Sequence, residues 1–316
     1  MFANFLFNFV DVEGYDKIGK ISYNPKHELG SGSVGTLVLK GFVEKREVAV
    51  KRCLMSMWSK TADNEASCLI ASDHHPNIIR YFVTEKSEEF VYIALQLCET
   101  SLELWIAGHN SNLRTNKISI LTDTLEGLAH LHNLKPRALC HRDIKPSNIL
   151  LYSPDPNVEA RDVIADLGMS KLLEDATTQT FTTTAGKTMG TAGWRAPEVL
   201  QNLSTASDVS RGKLSLQLDI FPTGCLIYFL LTDGKHPFGD DLIRRDTNVL
   251  DNKFLLSALK TKHSIYKDLI EKMISHDSKT RPTAEQALES FKTLTNNTGI
   301  NIYILMKAIT YILIMN

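Results

Sequence analysis

Cysteine is scarce and scattered: five thiols in 316 residues, at positions 53, 68, 98, 140 and 225, with no CxxC pair among them. That spacing offers neither a disulfide framework nor a zinc site, and it fits a chain kept in a reducing, cytosolic setting. An excess of charge of one sign is missing too. With 35 basic and 36 acidic residues the formal net charge is -1, which removes any general pull towards nucleic acid or anionic membrane. The opening stretch MFANFLFNFV is apolar but lacks a basic flank and soon meets Asp11 and Glu13. It reads as a poorly ordered lead-in, not a secretory signal. Near the other end, the apolar stretch 300–315 carries Lys307 at its middle and falls short of the ~20 apolar residues a spanning helix needs. An amphipathic or incidental tail is expected there, with a membrane segment as the alternative.

What is present is an ordinary globular balance, 43% hydrophobic and 22% charged, at a length that allows one large domain or two lobes. The most informative stretch is His141-Arg142-Asp143-Ile144-Lys145-Pro146-Ser147-Asn148, leading into Ile149-Leu150-Leu151. A carboxylate stands two residues before an ammonium and five before an amide. Phosphoryl transfer uses this set: Asp143 to take the proton of an attacking hydroxyl, Lys145 beside the transferring phosphate, and Asn148 as an oxygen ligand for Mg2+. A polar turn before a strand would account for one such residue, not for the whole stretch. The stretch resembles the catalytic loop of the protein kinases, and Lys145 is similar to the lysine of their serine/threonine branch. The resemblance implies an α+β, two-lobed protein-kinase fold that uses ATP and Mg2+. A small β-rich N-lobe would cover 19–98 and a larger helical C-lobe 99–294, with a lead-in over 1–18 and an apolar tail over 295–316.

Earlier stretches fit the same expectation. Gly30-Ser31-Gly32-Ser33-Val34-Gly35 is a GxGxxG set, and glycines let the backbone lie close over phosphates where a Cβ would clash. A strand-like run follows it, whereas a dinucleotide fold would continue as a helix. In Val48-Ala49-Val50-Lys51, alternation puts Lys51 on the face opposite Val50. A helix predicted over 60–72 carries Glu65, the expected partner that would hold the Lys51 ammonium against the α- and β-phosphates. Asp63 is the competing acid; Glu65 is preferred because Ala66, Leu69 and Ile70 give it an apolar flank. His74-His75 before Pro76 lacks the i, i+4 spacing of a helical metal site and reads as a structural turn. Residues 90–97 are the expected last strand of the small lobe. On the resemblance alone, Gln96 and Cys98 belong to a hinge whose backbone binds adenine, Leu37 and Ala49 to the same ATP site, and Leu95 gates its back pocket.

In the second half, Leu121, Leu125, Leu128 and Leu131 repeat at helical spacing and predict a buried stripe over 118–132. His130 and His132 do not share a face and read as packing or surface residues. Asp166-Leu167-Gly168 stands where kinases usually carry Asp-Phe-Gly. Leucine keeps the middle position apolar, and Asp166 is the second expected Mg2+ ligand. The segment 166–198 holds Thr177, Thr178, Thr180, Thr182, Thr183 and Thr184. By composition it is a flexible polar loop, and these are its candidate phosphosites, with Arg142 as the expected phosphate partner. Two structural roles are also implied: Glu198 pairs with Arg281, and Asp219 accepts hydrogen bonds from the catalytic-loop backbone.

A narrower likeness rests on Lys20-Ile21-Ser22-Tyr23, Asn77-Ile78-Ile79-Arg80-Tyr81-Phe82, Tyr92-Ile93-Ala94-Leu95-Gln96-Leu97-Cys98, Gly190-Thr191-Ala192-Gly193-Trp194 and Gly234-Lys235-His236-Pro237-Phe238-Gly239. Together they resemble the kinase part of the inositol-requiring, endoplasmic-reticulum stress-sensor family, over residues 19–294. That family joins a luminal sensor and a membrane span to a cytosolic kinase and a helical endoribonuclease. Neither the sensor nor the nuclease is matched within 1–316, so the expectation is a kinase that autophosphorylates in trans, as a homodimer, without cleaving RNA. No basic, aromatic-interleaved surface suggests a nucleic-acid partner. Its expected place is the cytoplasm, or the cytosolic face of the endoplasmic reticulum if it is part of a longer family member. One rival is a nucleotide-binding pseudokinase scaffold, opposed by intact Lys51, Glu65, Asp143, Asn148 and Asp166. The other is a kinase fragment of a longer kinase-endoribonuclease.

Overall fold

The computed structural model describes residues 14–32, 36–56, 67–72, 75–109, 112–155, 157–173, 179–184, 190–204 and 209–297, with the backbone alone over 179–184 and 209–214. Ser33, Gly35, Glu65, His74, Thr177, Thr178, the 1–10 lead-in and the 300–315 tail lie outside the described residues. The chain divides into two compact units, one formed by Met1–Asp73 and Ile79–Cys98, the other by His74–Ile78 and Glu99–Asn316.

In the first unit, alternating apolar residues build strands β1 (Asp16–Ile18), β2 (Ile21–Ser31), β3 (Leu37–Val43), β4 (Arg46–Leu54), β5 (Tyr81–Lys86) and β6 (Phe90–Gln96). They form one antiparallel sheet in the order β1-β2-β3-β4-β6-β5. In β4, Val48 and Val50 are buried while Ala49 and Lys51 are half-buried, as alternation requires. The sheet is strongly curled. Tyr23 on β2 and Tyr92 on β6 are three strand spacings apart, ~14 Å across a flat sheet. Yet their ring centroids are 5.1 Å apart and their hydroxyls 3.3 Å. Ile21, Leu39, Val48, Val50 and Ala94 fill the inside of that curl. Burial, then the Tyr92 hydroxyl, push the Tyr23 hydroxyl well above its ordinary pKa.

The two edges of the sheet are also tied together. The backbone N–H of Lys20 donates to Glu85 Oε1 at 3.0 Å, joining the β1–β2 turn to β5. Gly19 makes this possible: it has φ +54, and a Cβ there would run into the Glu85 carboxylate at 2.2 Å. Strand β1 thus begins inside the stretch expected as lead-in, because the tight Gly19-Lys20 turn pairs Ile18 with Ile21.

The second unit is mainly helical: among the described residues, α1 (Leu102–Ile106), α2 (Lys117–Asn133), α3 (Pro197–Ser204), α4 (Gln217–Leu231), α5 (Leu242–Leu250), α6 (Lys267–Met273) and α7 (Ala284–Asn297). Asn116 caps α2 by accepting from the Ser119 N–H at 2.8 Å, and Leu121, Leu125, Leu128 and Leu131 form its buried stripe. Gly127 leaves room for another backbone, since a Cβ there would lie 2.7 Å from the Asn77 carbonyl oxygen. This is why the His75-Pro76-Asn77 turn packs with the second unit. Asn77 Nδ2 donates to the Asp162 carbonyl at 3.0 Å, and the Ile164 N–H donates to the Asn77 carbonyl at 2.9 Å. Helix α4 is apolar on all sides and buried along most of its length, the pattern of a central core helix.

Short strands position the loops. β7 (Thr100–Ser101), β9 (Ile149–Tyr152) and β10 (Arg161–Ile164) form one sheet, and β8 (Leu139–Cys140) pairs with β11 (Lys171–Leu172). A last antiparallel pair joins β12 (Gln179–Thr184) to β13 (Val209–Leu214). Here the structure departs from the expected polar loop: a run of β-branched threonines has strand propensity once a partner strand is at hand. Among the described residues no helix is long and apolar enough to cross a membrane.

Candidate active site

The loop between β8 and β9 is built around a buried carboxylate from another element. Asp219, in the first turn of α4, is fully buried. Its Oδ1 accepts the Arg142 N–H at 2.7 Å, and its Oδ2 accepts the His141 N–H at 2.7 Å. Nε2 of His132 donates to the same Oδ2 at 2.9 Å. Burial alone would raise the Asp219 pKa, but the His132 hydrogen bond and charge, His141 and the Arg142 N–H outweigh it and hold the carboxyl below its ordinary value. These bonds keep Arg142 in the left-handed region, at φ 69, a conformation that costs on the order of 1 kcal/mol or more outside glycine. His141 braces the loop from inside: Nε2 donates to the Ala165 carbonyl at 3.0 Å, while Nδ1 accepts the Asp143 N–H at 3.3 Å.

Asp143 is held from four directions. Its Oδ1 accepts the Thr191 N–H at 2.9 Å and the Thr191 hydroxyl at 2.7 Å. Its Oδ2 accepts from Asn148 Nδ2 at 3.1 Å and from Lys145 Nζ at 2.9 Å. Lys145 Nζ also donates to Thr191 Oγ1 at 2.6 Å. A carboxylate has about four lone-pair sites, so an incoming hydroxyl must displace one of these donors. Lys145 has the longest and most flexible side chain of the set. Thr191 carried no role in the sequence reading. The signal that could have found it is its place in Gly190-Thr191-Ala192-Gly193-Trp194, where Gly190 turns at φ 74 and its carbonyl accepts from Arg195 Nε at 3.1 Å and Nη2 at 2.9 Å.

Among the described residues Asn148 is hydrogen-bonded at one end of its amide. Its Nδ2 donates to the Asp143 carbonyl at 2.8 Å as well as to the carboxylate, which leaves Oδ1 as the atom suited to a cation. The Ala165 N–H donates to the Asn148 carbonyl at 2.9 Å, so Asp166 follows directly from a residue fastened to Asn148. Asp166 takes a left-handed conformation, φ 61 and ψ 67, ahead of the 3-10 turn Leu167–Met169, whose Leu167 is buried. An amide oxygen and a carboxylate are hard donors that suit Mg2+, which takes one or two protein carboxylates and completes its shell with phosphate and water.

Beside Asp143 lies a pocket lined by Arg142, Thr191, Trp194, Val199, Leu218 and Pro222. Trp194 stands edge-on to His236, with centroids 4.9 Å apart, and to Phe229 at 5.8 Å. Burial, then the Arg245 charge, push His236 down to about 2, so it is neutral. Further out, Arg281 Nη1 and Nη2 each reach a Glu198 carboxylate oxygen at 2.8 Å. Nη1 of Arg281 also donates to the Gln217 carbonyl at the start of α4. His130 stacks on His75 at 4.5 Å, and His132, read as a packing or surface residue, is instead the third donor to Asp219. Only the tertiary pairing of α2 with α4 reveals that.

In the first unit, Gly30 and Ser31 end β2, and the Gly32 N–H donates to the Thr36 carbonyl at 2.8 Å, closing the base of the glycine stretch. Lys51 on β4 sits in register with Val38 on one side and Ile93 on the other. Leu37 lies on β3, Ala49 on β4 opposite Leu95, and Gln96 ends β6. Cys98 Sγ lies 3.9 Å from the Gln96 carbonyl. Of the candidate phosphosites, Thr180, Thr182, Thr183 and Thr184 are placed on β12.

A pinned carboxylate with a lysine, an amide and a left-handed aspartate around it, on an α+β scaffold, defines a class. The protein kinase domain family matches residues 23–291, and the chain belongs to that family. Its members use ATP with Mg2+. Within it, the chain is 40% identical over 284 residues to the serine/threonine-protein kinase/endoribonuclease IRE2 of Homo sapiens, covering 88% of this chain and 29% of that protein. It is 38% identical over 281 residues to the serine/threonine-protein kinase/endoribonuclease ire-1 of Caenorhabditis elegans, covering 87% and 28%. To the sensor for unfolded proteins in the ER ire1 of Schizosaccharomyces pombe it is 38% identical over 280 residues, covering 82% and 26%. The chain therefore spans less than a third of the length of these curated relatives.

Proposed function

We propose that this chain is an ATP-dependent serine/threonine protein kinase that phosphorylates its own activation segment in trans, in the manner of the unfolded-protein-response sensors it is similar to. The observation that carries the reading is the Asp143 carboxylate, fixed by Lys145, Asn148 and Thr191. Asp143 takes the proton of a serine or threonine hydroxyl as its oxygen attacks the γ-phosphorus of ATP. The bond to the β–γ bridging oxygen breaks and ADP leaves. Lys145 moves from the carboxylate to the transferring phosphoryl group, where its charge offsets the charge that develops. Asn148 Oδ1 and Asp166 hold Mg2+, which when bound neutralises phosphate charge. Lys51, positioned by Glu65, meets the α- and β-phosphates. The backbone of Gly30, Ser31, Gly32 and Gly35 covers the phosphates, and Leu37, Ala49, Gln96 and Cys98 hold the adenine.

Autophosphorylation in trans calls for a homodimer, and the cytosolic face of the endoplasmic reticulum is the proposed location when the segment belongs to a longer protein. The test is incubation of purified chain with radiolabelled ATP and Mg2+. Asp143→Asn should lower incorporation by about 100-fold or more, the usual worth of a positioned general base. Equal incorporation by wild type and variant would overturn the reading.

A further inference from the structure

The turn that brings Thr191 to the base is gripped on its far side by helix α5. Asp246, on that helix, holds the turn in two places. Its Oδ1 accepts the Gly193 N–H at 2.8 Å, and its Oδ2 forms an ion pair with Arg195 Nη1 at 3.6 Å. Gly193 allows this close approach: it has φ +80, and a Cβ there would lie 2.7 Å from Leu242 Cδ1 and 3.0 Å from Arg245 Cδ. The helix is a firm post for the grip. Asp241 caps it by accepting the Ile243 N–H at 3.0 Å, Asn248 Nδ2 donates to the Phe238 carbonyl at 2.9 Å, and Val249 is buried.

Arg195 carries the grip across the turn. Its Nε and Nη2 both donate to the Gly190 carbonyl. That carbonyl and the Thr191 N–H belong to one peptide unit, which is planar and trans, so its oxygen and its N–H point in opposite directions. The N–H donates to Asp143 Oδ1 at 2.9 Å. The peptide is thus a rigid lever with a guanidinium at one end and the Asp143 carboxylate at the other. A cation on the carbonyl also polarises the amide and strengthens its donation. Lys145 and the Thr191 hydroxyl can rotate aside when a substrate hydroxyl enters; a backbone N–H held in this way cannot.

We propose that Asp246 is a positioning residue for phosphoryl transfer, fixing Asp143 Oδ1 through Arg195 and the Gly190–Thr191 peptide. The inference deepens the proposed kinase reading and rests on it for the role of Asp143. The Arg195 and Asp246 side chains are 13% and 29% exposed, so solvent and salt screen the pair less than a surface one. Asp246 acts through the turn and not on the reacting atoms. Its loss should therefore slow the chemical step and leave nucleotide affinity alone.

The test uses the full-length chain, with the Asp143→Asn chain in excess as acceptor, so that every enzyme variant works on the same substrate. Asp246→Ala should lower kcat about 10-fold, with the KM for ATP unchanged. Asp246→Asn keeps an oxygen for the Gly193 N–H but drops the charge facing Arg195, and its rate should fall between those of Asp246→Ala and wild type. Arg195→Ala should match Asp246→Ala, and the double variant should be no slower than either single one, since both act on one lever. A second measurement needs no catalysis: hydrogen–deuterium exchange of the Thr191 amide, resolved by electron-transfer fragmentation. Exchange should quicken about 10-fold in Asp246→Ala and in Arg195→Ala, while the amides of α2 and the thermal midpoint hold. Where Asp246→Ala melts early, the nearly isosteric Asp246→Asn carries the same comparison. Unchanged Thr191 exchange would overturn the inference, as would a loss confined to KM or losses that multiply in the double variant. No transfer by wild type to the acceptor chain would count against the kinase reading alone, because Thr191 exchange still reports the lever.

Discussion

The loop around Asp143 and the ladder at β12–β13 are held in opposite ways. Around Asp143 the bonds come from the loop itself, through Lys145, Asn148 and His141, and from distant elements, through Thr191 on the carboxylate and Asp219 with His132 beneath. Among the described residues the threonine ladder is two strands joined by backbone pairing. The difference teaches where rigidity is needed. A base must sit at one place at the moment of reaction, whereas a phosphoacceptor must leave its place to reach a base.

The largest effect is expected where the loop is pinned. Asp219→Asn keeps the shape but sets an amide N–H against backbone N–H donors, leaving buried groups unsatisfied. Unfolding in denaturant should show a loss of about 3–5 kcal/mol. A loss below about 1 kcal/mol would erase the contrast between the loop and the ladder. Next comes Thr191→Ala, which removes one of the fixed donors to Asp143. The rate of phosphoryl transfer should drop on the order of 100-fold, with stability little changed and Thr191→Ser restoring most of the rate. A threonine-specific defect that serine does not repair would assign Thr191 a packing role.

The third effect concerns two histidines, His236 edge-on to Trp194 and His75 stacked on His130. His236 is pushed from 6.5 down to about 2 by burial, and burial, then the His130 charge, push His75 down to about 4. With the folded pKa depressed, the unfolded chain takes up protons below pH 6.5 while the folded chain does not. Stability is thus complete above that pH and declines as pH falls from 6.5 towards 4. For His236, which is buried, the contribution lost by pH 5 is on the order of 2 kcal/mol. In His236→Asn the Asn oxygen can still accept the Phe238 N–H, which His236 Nδ1 accepts at 3.2 Å. The variant should flatten the pH dependence of the thermal midpoint, and an unchanged slope would remove His236 from the account. The smallest effect belongs to the ladder. Gly212→Pro, opposite Phe181, removes the backbone N–H at that position, yet should change global stability by under about 1 kcal/mol. A loss comparable with that of Asp219→Asn would make the ladder part of the core.

Much of this molecule is legible along the chain because its signals are local. The alternation in Val48-Ala49-Val50-Lys51 and the leucine repeat from 121 to 131 state which faces turn inward, since side-chain direction follows from backbone period alone. The set from His141 to Asn148 names its chemistry because phosphoryl transfer needs a base, a cation and an oxygen ligand within one loop's reach. Other features depend on residues that sequence separates and only packing joins. The curl of the sheet rests on Tyr23 meeting Tyr92 and Lys20 meeting Glu85. The grip on the catalytic loop rests on His132 and Asp219, 87 positions apart, and two of the four bonds to the Asp143 carboxylate come from Thr191, 48 positions on. The register that sets Arg211 opposite Thr182 is likewise invisible in the order of residues. Sequence determined which groups are present and which faces they occupy, because those follow from local geometry. Tertiary structure decided which of them meet, because a buried polar group must find its partner wherever the folded chain places one.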